Sequence, residues 1–131
     1  MIFIDSNVPM YLVGAEHLNR KRSVDLLQEL IRSEEQFVTS VAVYQEILHR
    51  YTAIQRPDAI DRAFDALSAL VDEILGFGMV EIHKARTIID SVVGLSARDA
   101  LHAAVMERAG VTKILTFDRG FDACPGIERL Y

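Results

Sequence analysis

The sequence has few of the residues that mark disulfide-rich or disordered proteins. It has one cysteine, no tryptophan, three prolines and seven glycines in 131 residues. The lone Cys124 cannot close a disulfide within the chain, which agrees with a reducing compartment. Because half of the residues are hydrophobic, the composition is that of a folded protein rather than a disordered one. We therefore expect one globular domain over residues 1–131.

Long apolar runs are also missing. No run approaches the roughly 18 to 20 residues that span a bilayer. The opening segment, MIFIDSNVP, carries Asp5 where a signal peptide would be apolar. We expect a cytoplasmic protein with no membrane partner.

Positive charge is scarce as well. The formal net charge of -5 argues against a large sequence-independent surface for nucleic acid, because such binding comes from Lys and Arg neutralising phosphates. Acids that gather around Mg²⁺ or Mn²⁺ would reverse the local charge that a phosphate meets. Basic residues remain available near such a site: the cluster Arg20, Lys21 and Arg22, which is more typical of a solvated helix face than of a binding patch, and the isolated Arg50, Arg56, Arg98 and Arg119.

Alternating apolar runs and helical patterns predict an α/β fold. Five strands are predicted at 2–4, 37–39, 79–82, 113–117 and 127–131, and five helices at 20–34, 40–55, 57–75, 83–93 and 96–109. Asp58 and Ser96 are expected to cap helices, and Gly76 and Gly110 to end them. This alternation favours a mostly parallel sheet covered on both faces. Because no strand signal interrupts residues 40–75, two consecutive helices are expected to stand off the sheet as a hairpin.

Two acids follow predicted strands. Asp5 comes directly after the first strand, and Asp118 follows the fourth. Ligands of open parallel sheets bind beyond the carboxyl ends of the strands, so both carboxylates would share one rim if these strands are neighbours. Such convergence would be costly without a cation.

Two further acids lie near helix starts that face the same rim. Glu46 is in the second turn of the helix that leaves the second strand, and Asp99 is in the first turn of the helix that precedes the fourth. Helical spacing puts Asp99 on one face with His102 and Met106, which predicts a semi-buried acid that needs a partner.

Each acid alone also has a purely structural interpretation. Asp5 and Asp118 suit turns or N-caps, Asp99 suits a capping box with Ser96, and Glu46 suits an i, i+4 pair with Arg50. The four acids taken together favour a shared site. Four independent features would not be expected to fall in order at positions that a parallel sheet brings together.

Four local sequences carry a family resemblance. They are Ile4-Asp5-Ser6-Asn7, Glu46 within its helix, Arg98-Asp99-Ala100-Leu101-His102-Ala103-Ala104, and Leu115-Thr116-Phe117-Asp118-Arg119-Gly120-Phe121. In this order they resemble the motifs of the PIN-domain nucleases, and among them the VapC-like toxins of prokaryotic toxin-antitoxin pairs. The resemblance covers essentially the whole chain. It implies a PIN-like three-layer α/β/α sandwich with a roughly five-stranded parallel sheet and a protruding helical hairpin.

The resemblance also assigns roles to residues. It makes Asp5, Glu46, Asp99 and Asp118 the catalytic, metal-binding acids. It makes Ser6, Asn7 and Thr116 residues that orient those acids or a bound water, and it makes Asp122 a candidate outer-shell acid.

The implied activity is that of an endoribonuclease dependent on Mg²⁺ or Mn²⁺. Hard cations prefer oxygen ligands, lower the pKa of bound water and neutralise phosphate charge, so water can attack the phosphodiester directly. The resemblance implies 5′-phosphate and 3′-hydroxyl products, inhibition of translation or growth, a homodimer and a cognate antitoxin.

Other side chains have two possible interpretations. Arg98 and Arg119 flank the proposed acids and either contact substrate phosphates or balance charge. His102 either contacts substrate or is a satisfied core histidine, and the second interpretation is favoured. The spacing of the histidines does not predict a zinc site.

A rival function is a receiver-like signalling module that binds Mg²⁺ and in which one aspartate accepts a phosphoryl group. It fits less well, because a receiver has an acidic pair after its first strand and a lysine after its last. Here one acid, Asp5, ends the first strand, and Lys113 precedes its strand.

Overall fold

Five short parallel strands form the centre of the computed structural model, which describes residues 1–131. They are β1 (Ile2–Ile4), β2 (Phe37–Ser40), β3 (Glu73–Leu75), β4 (Lys113–Leu115) and β5 (Glu128–Leu130). The strand order is β3-β2-β1-β4-β5, with every neighbouring pair parallel. The predicted five-stranded parallel sheet is confirmed, and so is the adjacency of β1 and β4.

Six helices cover the sheet in a three-layer α/β/α arrangement. They are α1 (Asn7–Val13), α2 (Leu18–Arg32), α3 (Val41–Ala53), α4 (Ile60–Leu70), α5 (Met79–Ser91) and α6 (Ala97–Ala109), with 3-10 turns at Pro57–Ala59 and Arg119–Ala123. None of the helices is both long enough and apolar enough to cross a membrane.

The register fixes what lies at the carboxyl edge. Ile4 of β1 pairs with Leu115 of β4, so the residues that follow them, Asp5 and Thr116, emerge side by side. The Asp5 N–H donates to the carbonyl of Leu115 at 3.2 Å, which extends the pairing by one step. The strand order reverses between β1 and β4, and a reversal of this kind opens a crevice in doubly wound sheets.

The central strands are apolar because helices bury them on both faces. All three residues of β1 have no exposed surface, and β2 is buried throughout. Such continuous burial is typical of a parallel sheet, whereas the edge strands β3 and β5 are partly exposed.

The third strand was predicted at the wrong place. It is Glu73–Leu75, which the helical pattern had absorbed, and the expected strand at 79–82 is the first turn of α5. Glu81 explains the helix start, because its carboxylate accepts the Gly78 N–H at 2.8 Å. No Pro or Gly separates α4 from β3, so nothing in the sequence marked the break. Gly76 consequently follows a strand instead of ending a helix.

The first helix was not predicted. Asp5-Ser6-Asn7 and Pro9 indicated a turn, but α1 begins at Asn7 and Pro9 lies within its first turn, where the missing N–H costs nothing. Asp58 lies inside a 3-10 turn and does not cap α4. Ser96 and Gly110 do bound α6 as predicted, with Gly110 at a φ of 71°.

The α3–α4 hairpin packs on the rest of the protein through both helices, α3 against α6 and β2, and α4 against α1. Ala63 and Leu67 of α4 are fully buried, and α4 packs against α1 as well as α3. Between the two hairpin helices, the rings of Tyr44 and Phe64 meet edge to face at 5.1 Å, and the Tyr44 hydroxyl lies 2.7 Å from Ser68 Oγ.

Candidate active site

Asp5 is the buried centre of a polar cluster at the carboxyl edge of the sheet. Only 3% of its surface is exposed. Its Oδ1 accepts the Ser6 N–H at 2.7 Å, and its Oδ2 accepts the Thr116 hydroxyl at 2.7 Å. The first contact is local to the turn after β1, and the second follows from the pairing of β1 with β4, which puts the turn after each strand against the other.

Asn7 ties those two turns together. Its side-chain Nδ2 donates to Thr116 Oγ1 at 3.0 Å and lies 3.4 Å from Asp5 Oδ2, and its Oδ1 accepts the Phe117 N–H at 3.3 Å. Thr116 Oγ1 also accepts the Asp118 N–H at 3.0 Å. The three residues predicted to orient the acids, Ser6, Asn7 and Thr116, therefore do contact them or their backbone.

Glu46 reaches the same cluster from α3 and meets a histidine there. It is 6% exposed, and its Oε2 lies 3.0 Å from His102 Nε2. The same nitrogen is 3.8 Å from Asp5 Oδ1. Arg50 approaches the other oxygen of Glu46 at 3.7 Å, so the predicted i, i+4 pair forms although Glu46 is buried.

Asp99 and Asp118 close the opposite side of the cluster. Ser96 Oγ accepts the Asp99 N–H at 3.1 Å, and Asp118 Oδ1 accepts the Gly120 N–H at 2.8 Å. A Cβ at Gly120 would lie 3.1 Å from Asp118 Oδ1 and 3.7 Å from Asp99 Oδ2, so both carboxylates border one point. All four predicted acids thus meet at one edge of the sheet.

The ionised forms of these acids repel one another because they carry the same charge. Burial, followed by the charges of Asp5 and Asp118, raises the pKa of Asp99 to about 7. Burial also raises the pKa of Asp5 above its usual range, although His102 and the Thr116 hydroxyl act in the opposite direction. Carboxyl groups that hold protons this tightly are short of positive charge.

Glu46 and His102 compensate each other in part. Burial alone would raise the pKa of Glu46, but the hydrogen bond and charge of His102 lower it on balance. Burial alone would lower the pKa of His102, and its contacts with Glu46 and Asp5 raise it. One imidazole therefore faces three carboxylates, those of Glu46, Asp5 and Asp99.

The donor set suits a hard divalent cation. Oxygens of the buried Asp5 and Glu46 and a ring nitrogen of His102 lie within 4.8 Å of one another, and Mg²⁺ and Mn²⁺ prefer carboxylate oxygens as ligands. The raised pKa of Asp99 shows that its ionised form is disfavoured, and a bound cation would stabilise that form. Asp5, Glu46, Asp99 and Asp118 are the residues that would hold it.

The flanking residues are less tightly placed. Arg98 and Arg119 are both exposed, and the charge of Arg98 contributes to the lowered pKa of Glu46. Asp122 makes a two-pronged ion pair with Arg129, at 2.7 and 3.0 Å, and hydrogen-bonds to none of the four acids. A direct outer-shell contact for Asp122 is therefore absent from the hydrogen-bond network.

His102 is the site residue that sequence reasoning undervalued. Its position one turn after Asp99 predicted a half-buried, satisfied histidine, whereas it is 1% exposed and lies between two of the acids. Its Nδ1 is buried without a hydrogen-bond partner. The i, i+3 spacing from an acid already assigned to the site was the available signal.

Comparison with known proteins gives consistent matches. Residues 2–126 match the PIN domain family. The chain is 48% identical over 130 residues to the ribonuclease VapC13 of Mycobacterium tuberculosis, and the match covers 99% of both proteins.

Solved structures share the fold. VapC20 of Mycobacterium tuberculosis, a sarcin-ricin loop cleaving toxin, aligns with a TM-score of 0.75 at 22% identity over 95% of each chain. A chain of a toxin-antitoxin complex from Klebsiella pneumoniae aligns with a TM-score of 0.69 at 16% identity, covering 98% of this chain and 96% of that one. At these identities the likeness concerns the fold alone.

Proposed function

The chain belongs to the PIN-domain family, among its VapC-like members, and from that premise we propose that it is an endoribonuclease dependent on Mg²⁺ or Mn²⁺. It hydrolyses RNA phosphodiester bonds with water and leaves 5′-phosphate and 3′-hydroxyl ends. One observation carries the proposal: four acids remote in sequence, of which Asp5, Glu46 and Asp99 are buried, gather at one edge of the sheet, where burial and then the charges of Asp5 and Asp118 raise the pKa of Asp99 to about 7.

The residues around the acids set their orientation before any ligand arrives. Asp5 is held by the Ser6 N–H and the Thr116 hydroxyl, and Asp118 by the Gly120 N–H. Because these donors belong to the turns after β1 and β4, the carboxylates need little rearrangement on binding. A bound dication would supply a water of lowered pKa and positive charge against the phosphate.

His102 acts as a positioning residue for Glu46. A metal-ligating histidine almost always donates its other ring N–H to an acceptor, yet Nδ1 of His102 has none. The arrangement instead suits an Nε2–H that donates to Glu46 Oε2 at 3.0 Å, which both the neutral tautomer and the imidazolium can do. The hydrogen bond fixes one oxygen of Glu46 and directs the carboxylate into the pocket.

The biological setting follows from the same premise. We propose that the protein is a toxin that acts in the cytoplasm, inhibits translation or growth and is neutralised by a cognate antitoxin. The complexes among the related structures support an antitoxin partner. A homodimer is supported by exposed apolar side chains on helices, including Val41 and Leu48 of α3 and Met79 and Val80 of α5.

The receiver-like alternative receives no support from the topology. Flavodoxin-like receivers have the strand order 2-1-3-4-5, whereas the order here is 3-2-1-4-5. Lys113 also lies at the amino end of β4, away from the acids.

The direct test compares purified wild type with Asp99→Asn on a total RNA substrate, with sequencing of new 5′ ends. We expect defined cleavage sites in Mg²⁺ or Mn²⁺, loss of cleavage in EDTA and recovery when metal is restored. Full activity after exhaustive chelation would exclude the metal-dependent mechanism.

Inducible expression of the same two proteins provides the cellular test. Growth arrest is expected from the wild type alone, with new RNA ends that match those produced in vitro. Equal toxicity of Asp99→Asn would separate growth inhibition from cleavage and refute the proposed role of the acid.

A further inference from the structure

A groove next to Asp118 collects arginine and aromatic side chains. Its walls include Arg22 near the start of α2, Phe117 and Arg119 after β4, and Arg129 and Tyr131 at and after β5. We call it the arginine groove. Its volume of about 380 Å³ falls in the range of small-ligand sites.

The arginine groove adjoins Asp118. Phe117 and Arg119, which line it, are the chain neighbours of Asp118, so their Cα atoms lie about 3.8 Å from its own. The Phe117 N–H donates to Asn7 Oδ1, which anchors this turn to the cluster around Asp5. A strand of RNA that passes Asp118 can therefore also contact the groove.

The groove has more positive than negative side chains. Arg129 is paired with Asp122, and its side chain is 6% exposed. Arg22 and Arg119, by contrast, form no ion pair with an acidic side chain. Arg22 is oriented by donating to the main-chain oxygen of Tyr131 at 2.8 Å, and the charge of Arg119 helps Arg129 to lower the pKa of Asp122. In a chain of net charge -5, three arginines that share one acidic side chain suit an anionic ligand.

Aromatic surface accompanies this charge. Tyr131 is 58% exposed, and the Arg129 guanidinium stacks on its ring at 3.8 Å from the centroid. Phe117 is half-buried and held edge to face by Tyr11 at 5.4 Å between ring centroids. Arginines interleaved with aromatic rings are the usual means of holding unpaired bases and their phosphates.

We propose that the arginine groove binds single-stranded RNA next to the scissile phosphate. Arg22 and Arg119 contact a backbone phosphate, and a neighbouring base stacks on Tyr131. The inference rests on the proposed function for the position of the cut. Beyond that function, it specifies that the RNA strand runs along the side of the site that holds the arginine groove. RNA is favoured over an acidic peptide because the groove pairs its charge with aromatic surface and adjoins Asp118.

Binding is tested apart from cleavage. A fluorescent single-stranded RNA of mixed sequence is titrated with Asp99→Asn protein in Mg²⁺, by anisotropy, over a series of salt concentrations. In this background, adding Arg22→Ala and Arg119→Ala together should lower the slope of log K against log salt by about 0.7, the value for one lost phosphate contact. Adding Tyr131→Ala should weaken binding about tenfold, mainly without changing the slope.

The matched control is Arg32→Ala. Arg32 is an exposed arginine on the same helix, ten residues from Arg22 and therefore about 15 Å away along its axis. Equal effects of Arg22→Ala and Arg32→Ala on RNA binding would show that only the overall positive charge matters, and would overturn the proposal. Circular dichroism confirms that each variant is folded.

Two further measurements distinguish RNA from an acidic peptide as the ligand of the groove, and distinguish failure of the groove proposal from failure of the proposed nuclease activity. Tight binding of a hexaglutamate peptide that depends on Arg22 and Arg119, with unchanged RNA affinity, would overturn the RNA assignment. In otherwise wild-type protein, Arg22→Ala with Arg119→Ala should raise KM severalfold at nearly constant kcat. Loss of RNA binding in these variants without any metal-dependent cleavage by the wild type would sink the proposed activity and leave the groove standing.

Discussion

Glu81 and Asp99 are both buried acids at the third position of a helix, yet their surroundings have opposite charge. Glu81 in α5 accepts the Gly78 N–H and pairs with Arg108, and these contacts, in that order, lower its pKa. Asp99 in α6 faces other carboxylates, and burial together with their charges raises its pKa to about 7. The same position in a helix thus holds one satisfied acid and one unsatisfied acid.

The difference distinguishes an acid that supports the fold from one available to a ligand. The carboxylate of Glu81 turns back to its own helix start, so its charge is compensated locally. At Asp99 the N-cap Ser96 accepts the backbone N–H, but no return bond from the Asp99 carboxylate to the cap is formed. That carboxylate points into the pocket, where its charge becomes favourable only with a cation present.

The largest expected effect on RNA cleavage comes from substituting an acid of the site, compared with substituting Glu81. Asp5→Asn or Asp99→Asn should reduce RNA cleavage by roughly 10³-fold, since a lost ligand removes several kcal/mol of charge stabilisation. Glu81→Gln should cleave at a rate close to that of the wild type, measured at a temperature where both are folded. Cleavage lost equally in Glu81→Gln would show that buried acids act here only through the fold.

Metal binding should stabilise the fold through the acids of the site and not through Glu81. Mn²⁺ at a hundred times its dissociation constant should add about 2.7 kcal/mol to the free energy of unfolding of the wild type. Glu81→Gln should gain the same amount, and Asp5→Asn much less. Calorimetric titration and urea unfolding measure both quantities, and an equal gain in Asp5→Asn would place the metal elsewhere.

The hydrogen bond from His102 to Glu46 should have a smaller effect. His102→Leu should lower kcat and Mn²⁺ affinity about 10-fold to 100-fold with little change in KM for RNA, which is usual for residues that orient a metal ligand. His102→Gln, whose amide can donate to Glu46, should recover much of the loss. Equal defects in the two variants, or a loss of folding in both, would favour a packing role.

The pH dependence of stability should differ in sign between the two acids. Because the pKa of Asp99 is raised in the folded state, its ionisation destabilises the metal-free protein as pH rises from about 4 to about 7. In EDTA, Asp99→Asn should therefore exceed the wild type by roughly 1 to 3 kcal/mol above pH 7, and the advantage should shrink toward pH 4. Urea unfolding at several pH values measures this difference.

Glu81 provides the opposite case in the same experiment. Its lowered pKa contributes stability above about pH 4.5 that is lost as pH falls further. Glu81→Gln should therefore be less stable than the wild type near neutral pH. A Glu81→Gln protein more stable than the wild type at pH 7 would contradict the distinction between the two acids.

Much of the site was predictable because a parallel sheet has only one carboxyl edge. Asp5 and Asp118 follow strands, and the geometry of such sheets brings strand ends together without knowledge of side-chain packing. Their adjacency required β1 and β4 to pair, which is a tertiary fact that local sequence does not contain.

Residues carried on helices were harder to predict. Glu46 has the spacing of a solvated i, i+4 partner of Arg50, and that pair does form. Its burial depends on how α3 rests against α6, so periodicity could not reveal it. The burial of His102 depends on the same packing.

The edge of the sheet was the weakest part of the prediction. β3 is three residues long and partly exposed, so it has neither the apolar run nor the punctuation of a central strand. Its position is set by tertiary contacts, including the bond from the Phe37 N–H to Asp72 Oδ2 at 3.0 Å. The apolar residues 79–80 resemble a strand until Glu81 is seen to cap a helix.

The position of β4 beside β1 also matters during protein synthesis. After Asp5, a ribosome must add more than a hundred further residues before β4 can take its place at the middle of the sheet. A growing chain therefore has neither Asp118 nor the Thr116 hydroxyl that holds Asp5 until those residues have been added. For a protein proposed to destroy RNA, late assembly of the pocket keeps its own unfinished copies harmless to the message being read.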